Sequence, residues 1–561
     1  MAISETVDVF QDFSLGLNTL TAPNRLNQKA SPTHSNIWND GSAIAKRLGQ
    51  SRTSTTNEVW GRAWSGYMLH TSVFSGTENL LIYAAAGITN NFLLYTSDSA
   101  LVYRMFVSTA GTVSTAVASA TVTGVGTAFL TTARAGAIFS VGNTVGIVST
   151  ITDDTTLVLT ANFGALNSGA SYNITPGWAA SRRVSFTDQN SKTWICSQGY
   201  AGGYFDGAYF VYVDAFPQAY YSLTYKNYTF VANTSANPSR LSWSALKDPT
   251  SWPASNFVDV NPNDGFPIVG LAFDGQSIVI FKTNSAWKLT GDIFDPANPT
   301  YTLTQIFTPN DFSINSPKSF QLYGPGGYIM LGKKGFYAYD GGGAISKILD
   351  FDRIRQEFAN IGSFAWGNVP TVTAEPSAII VDGNYWLQVS NALSTIDSSH
   401  KEFTYVLDKS GTVWKWSQVA ASIISDFAYR SGVLYGTNSW AGGTPGLMQL
   451  NTASTDGLTS AINGSFTTKV FEFSSQQRFG IVYVYFKKQS AGNLTFEFSI
   501  DEGSFVSNTI DMTAGTGTRV KSAPIVVGQI GRSIQFRASN NTAAQTFELY
   551  AIELHRQELR R

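Results

Sequence analysis

Apolar and polar positions alternate along most of this chain. The period is two, as in residues 276–280 and in the run through Val482, Val484 and Phe486, and it predicts strands with one buried face. The alternation breaks at glycine. Asp-Gly or Asn-Gly pairs stand at Asp40-Gly41, Asp206-Gly207, Asp264-Gly265, Asp274-Gly275, Asp340-Gly341, Asp382-Gly383, Asp456-Gly457 and Asn463-Gly464. Such pairs tolerate positive φ and close tight hairpins. One segment departs from the pattern. In 350–361, Ile354, Phe358 and Ile361 recur at helical spacing among Asp352, Arg353, Arg355 and Glu357, which predicts a short amphipathic helix. The fold class is therefore all-β.

Four regions separate. Residues 1–107 are an N-terminal arm followed by the first strands of the body. Residues 108–176 are rich in small residues, with Val122, Ile147, Val148, Leu157 and Leu159 as a candidate core. They predict a small β-barrel or sandwich inserted in the main fold. Residues 177–462 repeat one scheme: a strand, a glycine-containing turn and an apolar or aromatic strand. It appears at 273–281, 329–340, 381–389 and 405–416. In chain order the first two spacings are roughly 50–60 residues, near one four-stranded propeller blade, and the third is about half that, as two hairpins within one blade would give. The span would hold roughly five to seven blades. Two stacked β-sandwiches are the other architecture this pattern allows. Residues 463–561 alternate over 496–500, 534–537 and 547–554, as a C-terminal β-sandwich would. The last residues, His555 to Arg561, look like a solvated tail.

Composition narrows the function. Of 561 residues, 43% are hydrophobic, enough for a large core, yet only 13% are charged, about half the usual ~25%. Such a surface suits a protein covered by neighbours, or a secreted or virion surface. The net charge of −1 argues against a general nucleic-acid binder. A channel that DNA only traverses stays open, because strong phosphate binding would stall transit. The single cysteine, Cys196, rules out an intrachain disulfide and a multi-cysteine metal site, and its apolar flank predicts a buried thiol. His34, His70, His400 and His555 form no ligand pair by spacing. Residues 1–11 carry Glu5 and Asp8 and no basic residue ahead of an apolar run, so no signal peptide is expected. No stretch of about 18 apolar residues predicts a membrane anchor. A protein made in the cytoplasm and soluble until it assembles is the expectation.

Catalytic chemistry finds little footing. No Gly-x-Ser-x-Gly elbow, P-loop or HExxH sequence occurs. The segment 408–414 resembles the aspartate box of sialidase propellers with one residue too many before glycine, and such boxes are structural turns. A glycosidase needs two carboxylates about 5–10 Å apart, for which Asp259, Asp264 and Asp274 are candidates. Asp153 and Asp154 could hold calcium, but a solvated turn accounts for them. Tyr220, Tyr221 and Trp440 could stack on sugars if exposed, or serve the core or an interface. No enzyme, cofactor or metal is expected.

Two stretches carry a family resemblance. The first runs Asp12-Phe13-Ser14-Leu15-Gly16-Leu17-Asn18-Thr19, then Pro23, Asn24, Arg25 and Leu26, then Ser31-Pro32-Thr33-His34-Ser35-Asn36-Ile37-Trp38, and closes on Lys46-Arg47-Leu48-Gly49. It resembles the opening of phage tail nozzle and tubular proteins. The second holds Trp243, Asp248, Pro249 and Trp252, followed by Asp264 and Trp287. It resembles the core of packaged-DNA stabilisation proteins of short-tailed phages, except that Ala245 stands where an acidic residue is usual. Residues 108–176 resemble a β domain of many phage tail proteins. The resemblance implies a β-propeller body in a virion-tail ring. That ring would be a homohexamer below a dodecameric adaptor, in contact with tail fibres or spikes. Its central channel would retain packaged double-stranded DNA and pass it at ejection without specific binding. The rival is a receptor-binding or tail-fibre-associated propeller that recognises host glycans, although no heptad stem is visible.

Residues 12–50 also have a physical reading. They are polar, extended and broken by proline, with Leu15, Leu17, Leu20 and Trp38 as anchors and Arg47 at the basic close. Such an arm could cross to a neighbouring subunit or pack on its own body.

Overall fold

The computed structural model describes residues 5–559 except 14, 18–21, 40–42, 48, 53–57, 61, 64, 99–100, 180–182, 292–299, 308–316, 323–326, 333–334, 340–344, 348–375, 391–401, 411–412, 421–423, 439–445, 454–461 and 544. Leu20, Trp440 and the helix expected at 350–361 lie outside the described residues. Among the described residues the only α-helix is one turn, Phe129–Thr132.

The body is a β-propeller. Six antiparallel four-stranded sheets follow one another along the chain. Their first strands are Ser185–Gln189, Ala219–Tyr225, Ile268–Phe273, Gln321–Leu322, Ser377–Val381 and Asp426–Arg430. A further sheet, Ser65–Phe74, Thr77–Ala85 and Asn90–Thr96, precedes them and packs between the last and the first of the six, bonded to Asp426 through Leu69 N and to Asp188 through His70 and Ser72. Its outer strand is split into Tyr103–Arg104 and Gly177–Ala179, both paired with Asn90–Thr96. We number this blade first, so the six others are the second to the seventh. The seventh is completed from the far end of the sequence: Gly49–Arg52 pairs with Gly446–Ala453 as its outer strand. The hairpins 381–389 and 405–416 fall in one blade, the sixth, as their short spacing implied.

The first hairpin of a blade closes in a recurrent way. Ser75-Gly76, Lys226-Asn227, Asp382-Gly383 and Ser431-Gly432 are two-residue turns with both φ positive, and Asn190-Ser191 is another. This conformation matches the twist of the flanking strands. Only Asp382-Gly383 among them was marked by an Asp-Gly or Asn-Gly pair. Elsewhere those pairs do other work: Asp264 ends a 3-10 turn before Gly265.

The small domain is inserted between the two pieces of the first blade's outer strand. Its seven strands run from Thr112–Thr115 to Asn173–Thr175. Val122, Val148, Leu157 and Leu159 are buried there with Phe139 and Tyr172, while Ile147 is half-buried on the other face of its strand.

Two expectations are corrected in the last unit. Its eleven-stranded sheet takes in N-terminal strands as well as residues 464–558. Glu5–Phe10 pairs with Glu548–Glu558, Thr33–Ser35 pairs with Gly464–Thr467, and Ile44–Lys46 also joins Glu548–Glu558. The stretch expected as a solvated tail is corrected over His555 to Glu558, which belong to a strand with partners on both sides. The polar side chains of that strand obscured its alternation, because its neighbours supply matching ions.

Candidate functional site

The described residues of the arm pack on the chain's own body. Phe13 is 2% exposed and meets Phe466 edge-on at 5.3 Å, within the core that also holds Ile37 and Ile44. Full burial of one such side chain contributes ~1.5–3 kcal/mol. Lys46 is buried, and its ammonium donates to Asn540 Oδ1 at 2.7 Å, Gln545 O at 2.9 Å and Thr542 O at 3.1 Å. Arg47 is buried too and donates to Asn36 Oδ1 at 2.8 Å, while Asn36, at φ 54°, donates to Asn463 O at 2.8 Å. Lys46 thus satisfies acceptors of the last unit, and Arg47 steadies Asn36, which bonds across to Asn463. Leu15 is half-buried, its N–H bound to Lys29 O at 3.1 Å, and Leu17 lies in a short strand parallel to Ala30–Ser31. Trp38 reaches elsewhere: its ring lies 6.0 Å from Trp386 of the sixth blade and couples the last unit to the propeller.

The second motif builds the third and fourth blades. Trp243 is 3% exposed, packed on Phe230 at 6.0 Å. Asp248 turns the chain by accepting from Thr250 N at 3.0 Å. Pro249 O accepts from Trp252 Nε1 at 2.8 Å, and the Trp252 ring packs edge-on at 5.7 Å against Phe216, in the link from the preceding blade. Trp287 is half-buried in the same core as Trp243. Asp264 accepts from Lys282 Nζ at 2.6 Å, and that ammonium also donates to Val260 O and Asn261 O. Burial pulls the Lys282 pKa down, against the opposing pull of Asp264. The motif residues fall within two neighbouring blades, and each has a structural partner.

The carboxylates considered for glycoside cleavage are held in the same manner. Asp259 forms a two-pronged pair with Arg240 at 2.8 and 2.9 Å. Asp274 Oδ1 accepts from Ser277 N at 2.7 Å and Gln276 N at 3.1 Å. Its Oδ2 meets Tyr339 OH of the fifth blade at 3.1 Å and Lys288 Nζ at 3.1 Å. Burial pushes the Asp274 pKa up, but the bonds from Ser277, Gln276 and Lys288 together bring it below the ordinary value. Two further acids, which the sequence reading missed, tie blades together. Asp426, 3% exposed, accepts from Leu69 N of the first blade at 2.9 Å, from Ser377 Oγ of the sixth and from Lys318. Asp188 accepts from Ser72 Oγ at 2.9 Å and pairs with His70 Nε2 at 2.9 Å. No local signal marks either residue, because the partners are distant in sequence.

Tyr220 and Tyr221 are 5% and 7% exposed, so they belong to the core between blades and offer no sugar platform. More exposed tyrosines stand elsewhere, among them Tyr103 on the first blade and Tyr209 on the second, at 45% and 48%. Both lie near Tyr95, whose ring is 5.6 Å from Tyr103 and whose hydroxyl pKa is raised by burial and by these two neighbours. Asp153 closes an exposed turn by accepting from Thr155 N at 2.7 Å. Among the described residues no group of three or more His, Cys, Asp or Glu side chains could hold a metal ion. No helix among them is long and apolar enough to cross a membrane.

No family model and no curated protein matches the chain. Solved structures similar to it include the exo-β-1,3-galactanase of Phanerochaete chrysosporium with β-1,3-galactotriose, at 10% identity over 91% of this chain and 99% of that one, with a TM-score of 0.29. The computationally designed Ika8 protein matches at 8% identity over 72% of this chain and 100% of that one, with a TM-score of 0.34. The β-propeller domain of the Trilobed protease from Pyrococcus furiosus matches at 8% identity over 68% of this chain and 95% of that one, with a TM-score of 0.30. At these TM-scores none of the likenesses bears on what the chain does.

Proposed function

We propose that this chain is a non-enzymatic structural subunit of a short phage tail, a nozzle that continues the head-to-tail connector. In this reading copies form a ring, a hexamer by family resemblance, that retains packaged DNA and forms the channel for its ejection. The observation that carries it is the use of the motif residues. Asp248, Trp252, Asp264 and Trp287 serve turns, seams and a buried ion pair, as suits a part that must stay rigid under load. The low surface charge supports passage of DNA without gripping it. Imaging particles of a phage that lacks this gene product tests the reading. Empty or leaking heads with truncated tails are expected. Full heads with intact tails that fail to adsorb would overturn it.

A second reading rests on the seam of Tyr95, Tyr103 and Tyr209. Half-exposed phenol rings give rigid amphipathic contact surface, which suits glycan recognition by a tail-fibre-associated propeller. Loss of adsorption, with DNA retention intact, on replacing Tyr103 and Tyr209 by serine would favour it.

A further inference from the structure

His555 is clamped between two carboxylates. Its Nδ1 lies 2.9 Å from Glu5 Oε1 on the first strand, and its Nε2 lies 2.8 Å from Glu553 Oε1 on its own strand. Neutral imidazole has one N–H and one lone pair, so only the doubly protonated ring donates to both acids at once. The neutral ring must turn a lone pair toward one of them.

The two acids are not equally free to give way. Glu553 also accepts from Lys521 Nζ at 2.9 Å and from the Tyr485 hydroxyl, and its side chain is 12% exposed. These partners hold its carboxyl down at about 2. It is thus ionised and tethered wherever histidine titrates. Glu5 is 66% exposed at its side chain and sits at the start of an edge strand. Two residues on, Val7 is 48% exposed, so little packing holds that end of the strand. When the clamp opens, Glu5 is the side that leaves.

We propose that the strand Glu5–Phe10 is a strap whose outer end is fastened by the proton on His555. Charged imidazole closes it onto the last strand, and neutral imidazole lets residues 5–7 fray. The other groups around the ring set the limits of the motion. From the strand Phe471–Lys487, Tyr483 packs edge-on at 5.5 Å and Gln477 Oε1 accepts from Arg556 at 2.8 Å. From Arg519–Lys521, the Lys521 ammonium lies 3.8 Å over Tyr483. Arg556 also binds Asp8, and the Phe10 ring lies tilted 4.0 Å from Phe471, so the inner half of the strap stays attached. The direction follows from the geometry and agrees with the elevated His555 pKa, raised by Glu553 first and Glu5 next. A raised histidine contributes its hold fully below about pH 6.5 and loses it as pH climbs through the folded value. The opened strap would uncover the edge of the last strand around His555 to Gln557, a template for another strand.

Hydrogen exchange read by mass spectrometry on the full chain tests this. After correction for intrinsic exchange, protection of residues 5–7 is expected to fall about tenfold between pH 5.5 and 8.5, while residues 8–10 keep theirs. Peptides from Phe471–Lys487 should stay constant and serve as the internal control. His555→Gln should show low protection of the strap at both pH values. Glu5→Gln, at an exposed site, removes the second anion and should abolish the pH dependence while leaving the fold intact. Equal protection at both pH values in the unaltered protein, or an undiminished pH effect in Glu5→Gln, overturns the proposal.

Discussion

Lys282 places its ammonium 2.6 Å from Asp264 with none of its side-chain surface exposed to solvent. A buried cation needs its counter-ion and its carbonyls together, because the cost of leaving water is recovered only through both. Asp264→Asn removes the charge and leaves the ammonium against neutral groups, at a cost of about 3 kcal/mol. Adding Lys282→Met to that variant should recover at least about 1 kcal/mol, since the stranded charge is then gone. Urea unfolding of the three proteins measures both values. A double variant no more stable than Asp264→Asn alone would mean that the ammonium is not stranded.

Trp38 joins the arm to the sixth blade through Trp386. Trp38→Ala should cost about 2 kcal/mol of burial and loosen the last unit from the propeller. Limited proteolysis should then cleave between the two units sooner, while near-ultraviolet dichroism of each is retained. An unchanged cleavage pattern would show that other contacts carry the junction.

Gly383 adopts φ 76°, and a Cβ built there meets nothing within 4 Å. Gly383→Ala therefore isolates conformational strain from steric clash, and should cost about 1 kcal/mol. A thermal melt gives the value. A much larger loss would mean that the turn has a neighbour beyond those described.

Cys196 is wholly buried between the second and third blades, and burial pushes its thiol up to about 12. The thiolate is the reactive form, so the native protein should resist a disulfide reagent at pH 8 over hours and react within minutes in denaturant. Prompt reaction in buffer would reveal local opening of that seam.

The propeller was legible because its hairpins repeat at near-blade spacing and its strands alternate. The turns were less so. Asn190-Ser191, Lys226-Asn227 and Ser431-Gly432 hold the same positive-φ geometry as Asp382-Gly383 but without an Asp-Gly or Asn-Gly pair. There the strand register imposes positive φ on Ser191, Lys226 and Ser431, each beside an Asn or Gly that takes it readily. Asp264 and Trp252 were legible as motif residues, yet their work was not, because Lys282 and Phe216 stand well away in sequence. Asp188 and Asp426 gave no sign at all. Their meaning lies in partners such as Ser72 and Leu69, more than a hundred and more than three hundred residues away. The pairing of Glu5–Phe10 with the last strand is likewise a relation between the two ends, invisible to any local window.

The seventh blade has a consequence for synthesis. Its outer strand, Gly49–Arg52, emerges from the ribosome about 400 residues before its partner, Gly446–Ala453. At roughly 5–20 residues per second the wait lasts tens of seconds. Throughout that interval the ring is an open arc with two bare edges, on a chain with few charges to discourage association. Folding here is completed by the return of the chain to its own beginning. A nascent copy is thus most open to pairing with another copy in the moments before it closes on itself.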